Sequence, residues 1–164
     1  MAPGRRAYTE HGLKVDGTYR FAGTQQQVWD LLTDPTALQQ CIPGCKSFVA
    51  IGNDSYDIVI EVGVAVVKGT YKGSARLANL DAPRQFTLIV EGAGGPGFVR
   101  GEGVLTLAEA DSATTVDVAG DAQVGGMIAG IGQRLLPGLA KQMVGQFFTS
   151  MQAQLASRLA AQAG

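Results

Sequence analysis

Few side chains in this sequence could do chemistry, and their spacing argues against most of it. The single histidine, His11, sits in an N-terminal stretch, MAPGRRAYTEHG, that carries no apolar pattern. One imidazole there leaves no Ser-His or Cys-His pair for nucleophilic catalysis and too few nitrogens for most zinc sites. Cys41 and Cys45 stand in a C-x3-C spacing around Pro43-Gly44, with no second pair. That falls short of a metal centre. It fits two partly buried thiols flanking a turn, or a disulfide if the turn brings them together. Gly92-Ala93-Gly94-Gly95-Pro96-Gly97 spells G-x-G-x-x-G. The dinucleotide fingerprint must open a helix, and here a strand pattern follows, so a hairpin is expected instead of a phosphate site. Gly126 and Gly130 fit G-x-x-x-G, but Arg134 and Lys141 in the same stretch argue against a transmembrane dimer. Tyr56 and Tyr71 remain as groups able to donate a hydrogen bond inside an apolar pocket. The expectation is no catalytic residue, no metal and no covalent cofactor.

The elements that would carry these residues read as one soluble domain. A chain of 164 residues with net charge -1 offers no basic balance for nucleic acid. No apolar run approaches the ~18 residues needed to span a membrane. The N-terminus lacks the apolar stretch of a signal peptide, which makes the cytoplasm the default. A flexible extension over residues 1–12 and one domain over 13–160 are expected.

Leu13 to Ala22 alternates as a half-buried strand. Thr24 caps a short helix, QQQVWDLL, with Val28, Trp29 and Leu32 on its buried side. A second short helix follows Pro35 and stops at Ile42-Pro43-Gly44. Six strands come next, near 46–51, 56–64, 68–80, 85–92, 98–109 and 115–124, joined by short turns that imply an antiparallel meander. From Met127 the spacing predicts a long helix ending near Leu159. Ile131, Leu135, Leu139, Met143, Phe147, Met151 and Leu155 recur every fourth position as one drifting apolar stripe. Pro137-Gly138 leaves two readings open. It is a hinge that lets Met127 to Leu136 move as a lid, or the helix starts near Leu136 after a separate turn.

The strands carry small residues at their centres. Gly73 and Ala75 lie between Tyr71 and Leu77; Gly101 and Gly103 between Val99 and Leu105; Gly120 and Ala122 between Val118 and Val124. Packed interiors fill their volume, so aligned small residues leave a hollow under the helix, or else let the sheet bend. A strongly bent sheet does both. The residues expected to face an apolar ligand there are Tyr71, Ala75, Leu105, Val118, Ala122, Ile131, Leu135, Leu139, Met143 and Phe147.

The segment VWDLLTDPTALQQCIPGC over residues 28–45 carries a resemblance. So do Lys68-Gly69-Thr70-Tyr71-Lys72-Gly73, Leu80-Asp81-Ala82-Pro83-Arg84, Asp121 to Gly126 and Gly132-Gln133-Arg134-Leu135. Taken in order, from about Leu13 to Leu155, they resemble the family of the carbon monoxide dehydrogenase subunit CoxG, within the START-like, Bet v 1-like superfamily. The resemblance implies an α+β helix-grip fold. In it a curved antiparallel sheet of six to seven strands grips the C-terminal helix around an apolar cavity. It further implies a non-catalytic accessory protein that binds a respiratory quinone, menaquinone or ubiquinone. Such a protein would couple or recruit a CO dehydrogenase-type molybdenum hydroxylase to the inner face of the cell membrane. Some relatives continue past the helix with a tail able to anchor. This sequence stops at Gly164, so transient membrane contact is the expectation. Two other readings stand beside it: an enzyme of the same superfamily such as a polyketide cyclase, and a pure membrane-recruitment module.

Overall fold

The computed structural model describes residues 10–64, 67–131 and 135–163. Of the expected extension, residues 1–9 lie outside the described residues, and residues 10–12 belong to the first strand. That strand, β1 (Glu10–Phe21), leads into α1 (Gln25–Leu32) and α2 (Pro35–Cys41). A capping box sets the start of α1: the Thr24 hydroxyl accepts the Gln27 amide at 3.2 Å, and the Gln27 side chain accepts the Thr24 amide at 2.8 Å. Asp34 caps α2 by accepting the Thr36 amide, with Pro35 at the first helical position, where no amide proton is needed.

Six strands follow: β2 (Cys45–Gly52), β3 (Ser55–Val62), β4 (Gly69–Asp81), β5 (Gln85–Gly94), β6 (Gly97–Ala110) and β7 (Ala113–Gly125). Together with β1 they form one antiparallel sheet in the order β1-β7-β6-β5-β4-β3-β2. Turns at Asn53-Asp54 and Asp111-Ser112 hold both residues at positive φ, which matches the twist of the strands they join.

The chain then makes a short 3-10 helix (Gly126–Ile131) before α3 (Leu135–Ala163). The expected continuous helix from Met127 is therefore two elements, and residues 132–134 between them lie outside the described residues. Pro137 falls in the first turn of α3, where its missing N–H has no intrahelical acceptor to lose. The helix accommodates the proline by beginning just before it.

The stripe expected on α3 faces inward from Leu139 to Leu155 and departs at Leu135. Residues four apart rotate by about 40° per step at 3.6 residues per turn, so the line drifts and other positions join it. The buried line runs Leu136, Phe148, Met151 and Leu155, with Val144, Phe147 and Leu159 packed beside it. Leu135, one position off, is 55% exposed. Aromatic packing fixes the helix on the sheet: Phe148 stacks on Tyr19 at 4.0 Å and meets Phe21 edge-on. The Gln152 side chain donates to the Arg20 carbonyl at 2.7 Å, and Arg158 pairs with Asp34.

The buried residues form two groups. The larger joins Phe21, α1, α2, Phe86, Leu105, Leu107 and the distal half of α3. The smaller is Val124, Ala129 and Leu136, with Leu13 and Val99 packed against it.

Candidate ligand-binding cavity

The space between those two groups is not filled. One row of inward-facing residues crosses the sheet in register: Val124 opposite Val99, Val99 opposite Gly92, Gly92 opposite Gly73, and Gly73 opposite Ile58. Large side chains end the row and two glycines occupy its middle. Beneath α3 this leaves a cavity of about 250 Å³.

Its walls come from three directions. Ile58, Ile60, Val62, Tyr71 and Val90 rise from β3, β4 and β5. Leu13, Val99 and Val124 close the far side of the sheet, and Val67 closes the β3–β4 connection. Ile128, from the 3-10 helix, covers it with Leu136, Leu139, Ala140 and Met143 of α3. The 3-10 helix is held down by the Ile128 amide, which donates to the Pro96 carbonyl at 2.9 Å. Gly97, at φ 145, lies so close to Ile128 and the Gly125 carbonyl that a side chain would collide with both. The glycine-rich segment is thus a tight β5–β6 hairpin clasped to the cavity's cover. It opens no helix, as a dinucleotide site requires.

A Cβ on Gly73 would collide with the Glu91 carbonyl, so β4 and β5 press backbone on backbone there. A Cβ on Gly92 would find nothing nearer than 3.8 Å. Glu91 borders the cavity through its strand; it stands opposite Arg100, on the outward face, and both side chains are exposed.

Of the residues expected at the ligand, Tyr71, Leu139 and Met143 line this cavity. Ala75 and Leu105 are buried in the larger core group instead. Val118 packs at the edge of that group, and Phe147 lies edge-on to Phe148 at 5.0 Å. Ala122 is half-buried and outside the lining, and exposed Leu135 points away from the core. The side chain of Ile131 lies outside the described residues. The inward register inferred for β6 and β7 is the one observed, with Gly101 opposite Ala122 and Gly103 opposite Gly120. The cavity does not reach that far: Gly101, Gly103 and Gly120 are all outside its lining. Ile58, Ile60 and Val62 join the lining unexpectedly. Their alternation is visible in the sequence, but their pairing with Gly73 and Tyr71 is set by the register of β3 on β4.

The two tyrosines differ. The Tyr71 hydroxyl donates to the Val67 carbonyl at 2.7 Å. Tyr56 packs on Phe48 at 4.6 Å, outside the cavity. Burial pushes both phenols up, with Asp54 and then Asp34 adding to it at Tyr56, so both keep their protons at neutral pH. Cys41 and Cys45 are free thiols. Burial raises both, against the pull of Arg158 at Cys41 and of a backbone hydrogen bond with Ser47 at Cys45. They border a wider hollow, about 710 Å³, between the α2–β2 connection and α3. That groove is open and lined by Gln39, Gln146, Thr149 and Ser150, so it shields little from water. The smaller cavity is the one able to remove an apolar group from solvent. Among the described residues no cluster of three metal-binding side chains occurs.

Comparisons with known proteins agree with this architecture. The family model that describes the carbon monoxide dehydrogenase subunit CoxG matches residues 17–156. A conserved protein from Geobacillus kaustophilus, known from its crystal structure, is 40% identical, with a TM-score of 0.85 over 88% of this chain and 95% of its own. The Zhui aromatase/cyclase from Streptomyces sp. R1128 is 17% identical, with a TM-score of 0.60 over 91% of this chain and 96% of its own. Ara h 8.0201 is 11% identical, with a TM-score of 0.62 over 90% of this chain and 99% of its own. Likeness at these last two identities shows the shared fold alone. No curated protein sequence matches the chain.

Proposed function

Because the chain belongs to the family of the carbon monoxide dehydrogenase subunit CoxG, we propose that it is a non-catalytic carrier of a lipophile, a respiratory quinone such as menaquinone or ubiquinone. It would serve a CO dehydrogenase-type molybdenum hydroxylase at the inner face of the cell membrane. The family and its START-like helix-grip fold support a ligand-binding accessory role. The observation that carries the reading is the apolar cavity between Gly73, Gly92 and α3. A packed interior would close such a space, and this one is held open by a backbone that cannot take a side chain at Gly73.

The same lining argues against the cyclase reading. Acid–base catalysis needs a group that exchanges a proton near neutral pH. Among the described lining residues, Tyr71 holds its proton and spends it on Val67, and the Glu91 side chain faces outward. Membrane contact has support of its own. Met127 and Leu135 are 75% and 55% exposed, and each precedes a residue that lines the cavity. Among the described residues no helix is long and apolar enough to cross a membrane, so the contact proposed is peripheral.

Native mass spectrometry and solvent extraction of protein purified from cells test the carrier reading. A quinone bound near one per chain is expected. Protein that carries no lipophile and takes none from quinone-loaded liposomes would leave the recruitment module as the better account.

A further inference from the structure

We infer that the cavity takes its ligand chain first, so that a hydrocarbon tail is buried and the polar head stays outside. The inference rests on the carrier reading and concerns the orientation and class of what is carried.

The first ground is hydrogen bonding. The carbonyl oxygens of an oxidised quinone only accept hydrogen bonds. Among the described residues the lining has no donor to spare. The Tyr71 hydroxyl already gives its proton to the Val67 carbonyl at 2.7 Å. Turning that hydroxyl to a ligand would strip the carbonyl of a buried residue, exchanging one bond for another. The backbone amides of β4 and β5 serve the strand ladder. Glu91 brings a carbonyl, which is a further acceptor. A quinone ring placed here would bury unpaired carbonyls, at a desolvation cost that a hydrocarbon does not incur.

The second ground is size and wall chemistry. About 250 Å³ lies below the roughly 300–1,000 Å³ of pockets that engulf a whole drug-sized ligand, so part of a long lipophile fits and the rest does not. The walls are aliphatic: Ile58, Val90, Leu139 and the adaptable Met143. Tyr71 is the one aromatic among the described lining residues, and the stacked rings of the fold sit in the larger core group, away from the cavity. Flat heads are ordinarily held between aromatic faces, whereas chains need no such partner.

Calorimetric titration of the full chain with three probes tests this. The probes are menaquinone-2, which has a head and a two-isoprene tail; menadione, the same ring without a tail; and farnesol, an isoprenoid chain with an alcohol in place of the ring. Farnesol is expected to displace menaquinone-2, and menadione to bind at least about tenfold more weakly than menaquinone-2. Gly92→Val, which adds bulk at a glycine of the lining where a Cβ meets nothing nearer than 3.8 Å, is expected to weaken menaquinone-2 and farnesol together. Menadione binding as tightly as menaquinone-2, with farnesol unable to compete, would overturn chain-first entry and leave the carrier reading standing. Gly92→Val without effect on either tailed probe would place the chain elsewhere and overturn the inference as well. Failure of all three probes to bind would overturn the carrier reading itself.

Discussion

Gly73 and Gly92 face each other across β4 and β5, yet they differ in what they tolerate. The missing Cβ of Gly73 points into the Glu91 carbonyl, while one on Gly92 would make only ordinary contacts, at 3.8 Å and beyond. Close strand contact and the void meet at one glycine pair.

Stability should report that difference. Gly73→Ala is expected to cost about 2–4 kcal/mol, because backbone on both strands must move. Gly92→Ala should stay within about 0.5 kcal/mol of the parent. Urea unfolding at unchanged m-value measures both, and equal losses would mean that the strands do not press together at Gly73.

Filling the cavity should separate binding from folding. Ala140 faces the void from α3, and Ala75 is 2% exposed inside the packed core. Ala140→Leu is expected to reduce quinone uptake from liposomes with its melting temperature kept or raised. Ala75→Leu, overpacking a filled site, should cost about 1–3 kcal/mol. Melting curves and uptake assays on the two variants give the comparison.

Lipid contact should depend on Met127 and Leu135. Their neighbours Ile128 and Leu136 are 3% and 8% exposed, so a charge at either would be buried and would disturb the fold. The double variant Met127→Glu, Leu135→Glu is expected to slow transfer from liposomes several-fold with no loss of melting temperature. Transfer should vary little between low and high salt, since a net charge of -1 gives no polybasic attraction to screen. Transfer that collapses in high salt would point to charged docking.

Alkaline pH should weaken the fold through its thiols. Burial raises Cys41 and Cys45 above their ordinary 9.0, so the native state holds those protons more tightly than the unfolded chain. The resulting stability is fully present below the unfolded value and is lost as pH climbs through the folded one. The urea midpoint is therefore expected to fall above about pH 9. The variant Cys41→Ala, Cys45→Ala should fall less steeply over the same range. Tyr56 and Tyr71, raised by the same burial, leave a residual slope at higher pH.

The fold was legible where local signals are strong. Thr24 with Gln27, and Asp34 with Pro35, announce two short helices, and period-two alternation marks every strand. The helix after β7 was less legible, because apolar residues from Met127 to Leu135 suit a 3-10 turn as well as an α-helix. Only the termination at Ile131 and the restart at Leu135 divide them. The site was legible as a kind and misplaced in position. Small residues occur on β4, β6 and β7 alike, and nothing in a single strand tells which of them lies beneath a gap. That depends on which strands α3 and the 3-10 helix cover without filling, and the lining includes Gly73 and Gly92 but not Gly101.

Two buried groups with a void between them make a structure of unequal cooperativity. Val124, Ala129 and Leu136 form a small outpost joined to the main core chiefly through the sheet. Such a region opens at lower free energy than the rest, and its amides should exchange with deuterium sooner than those around Phe148 and Met151. A chain lodged between the groups would join them into one unit. Occupancy would then be written in the exchange rates of the 3-10 helix, and a loaded protein could be told from an empty one by its stiffness alone.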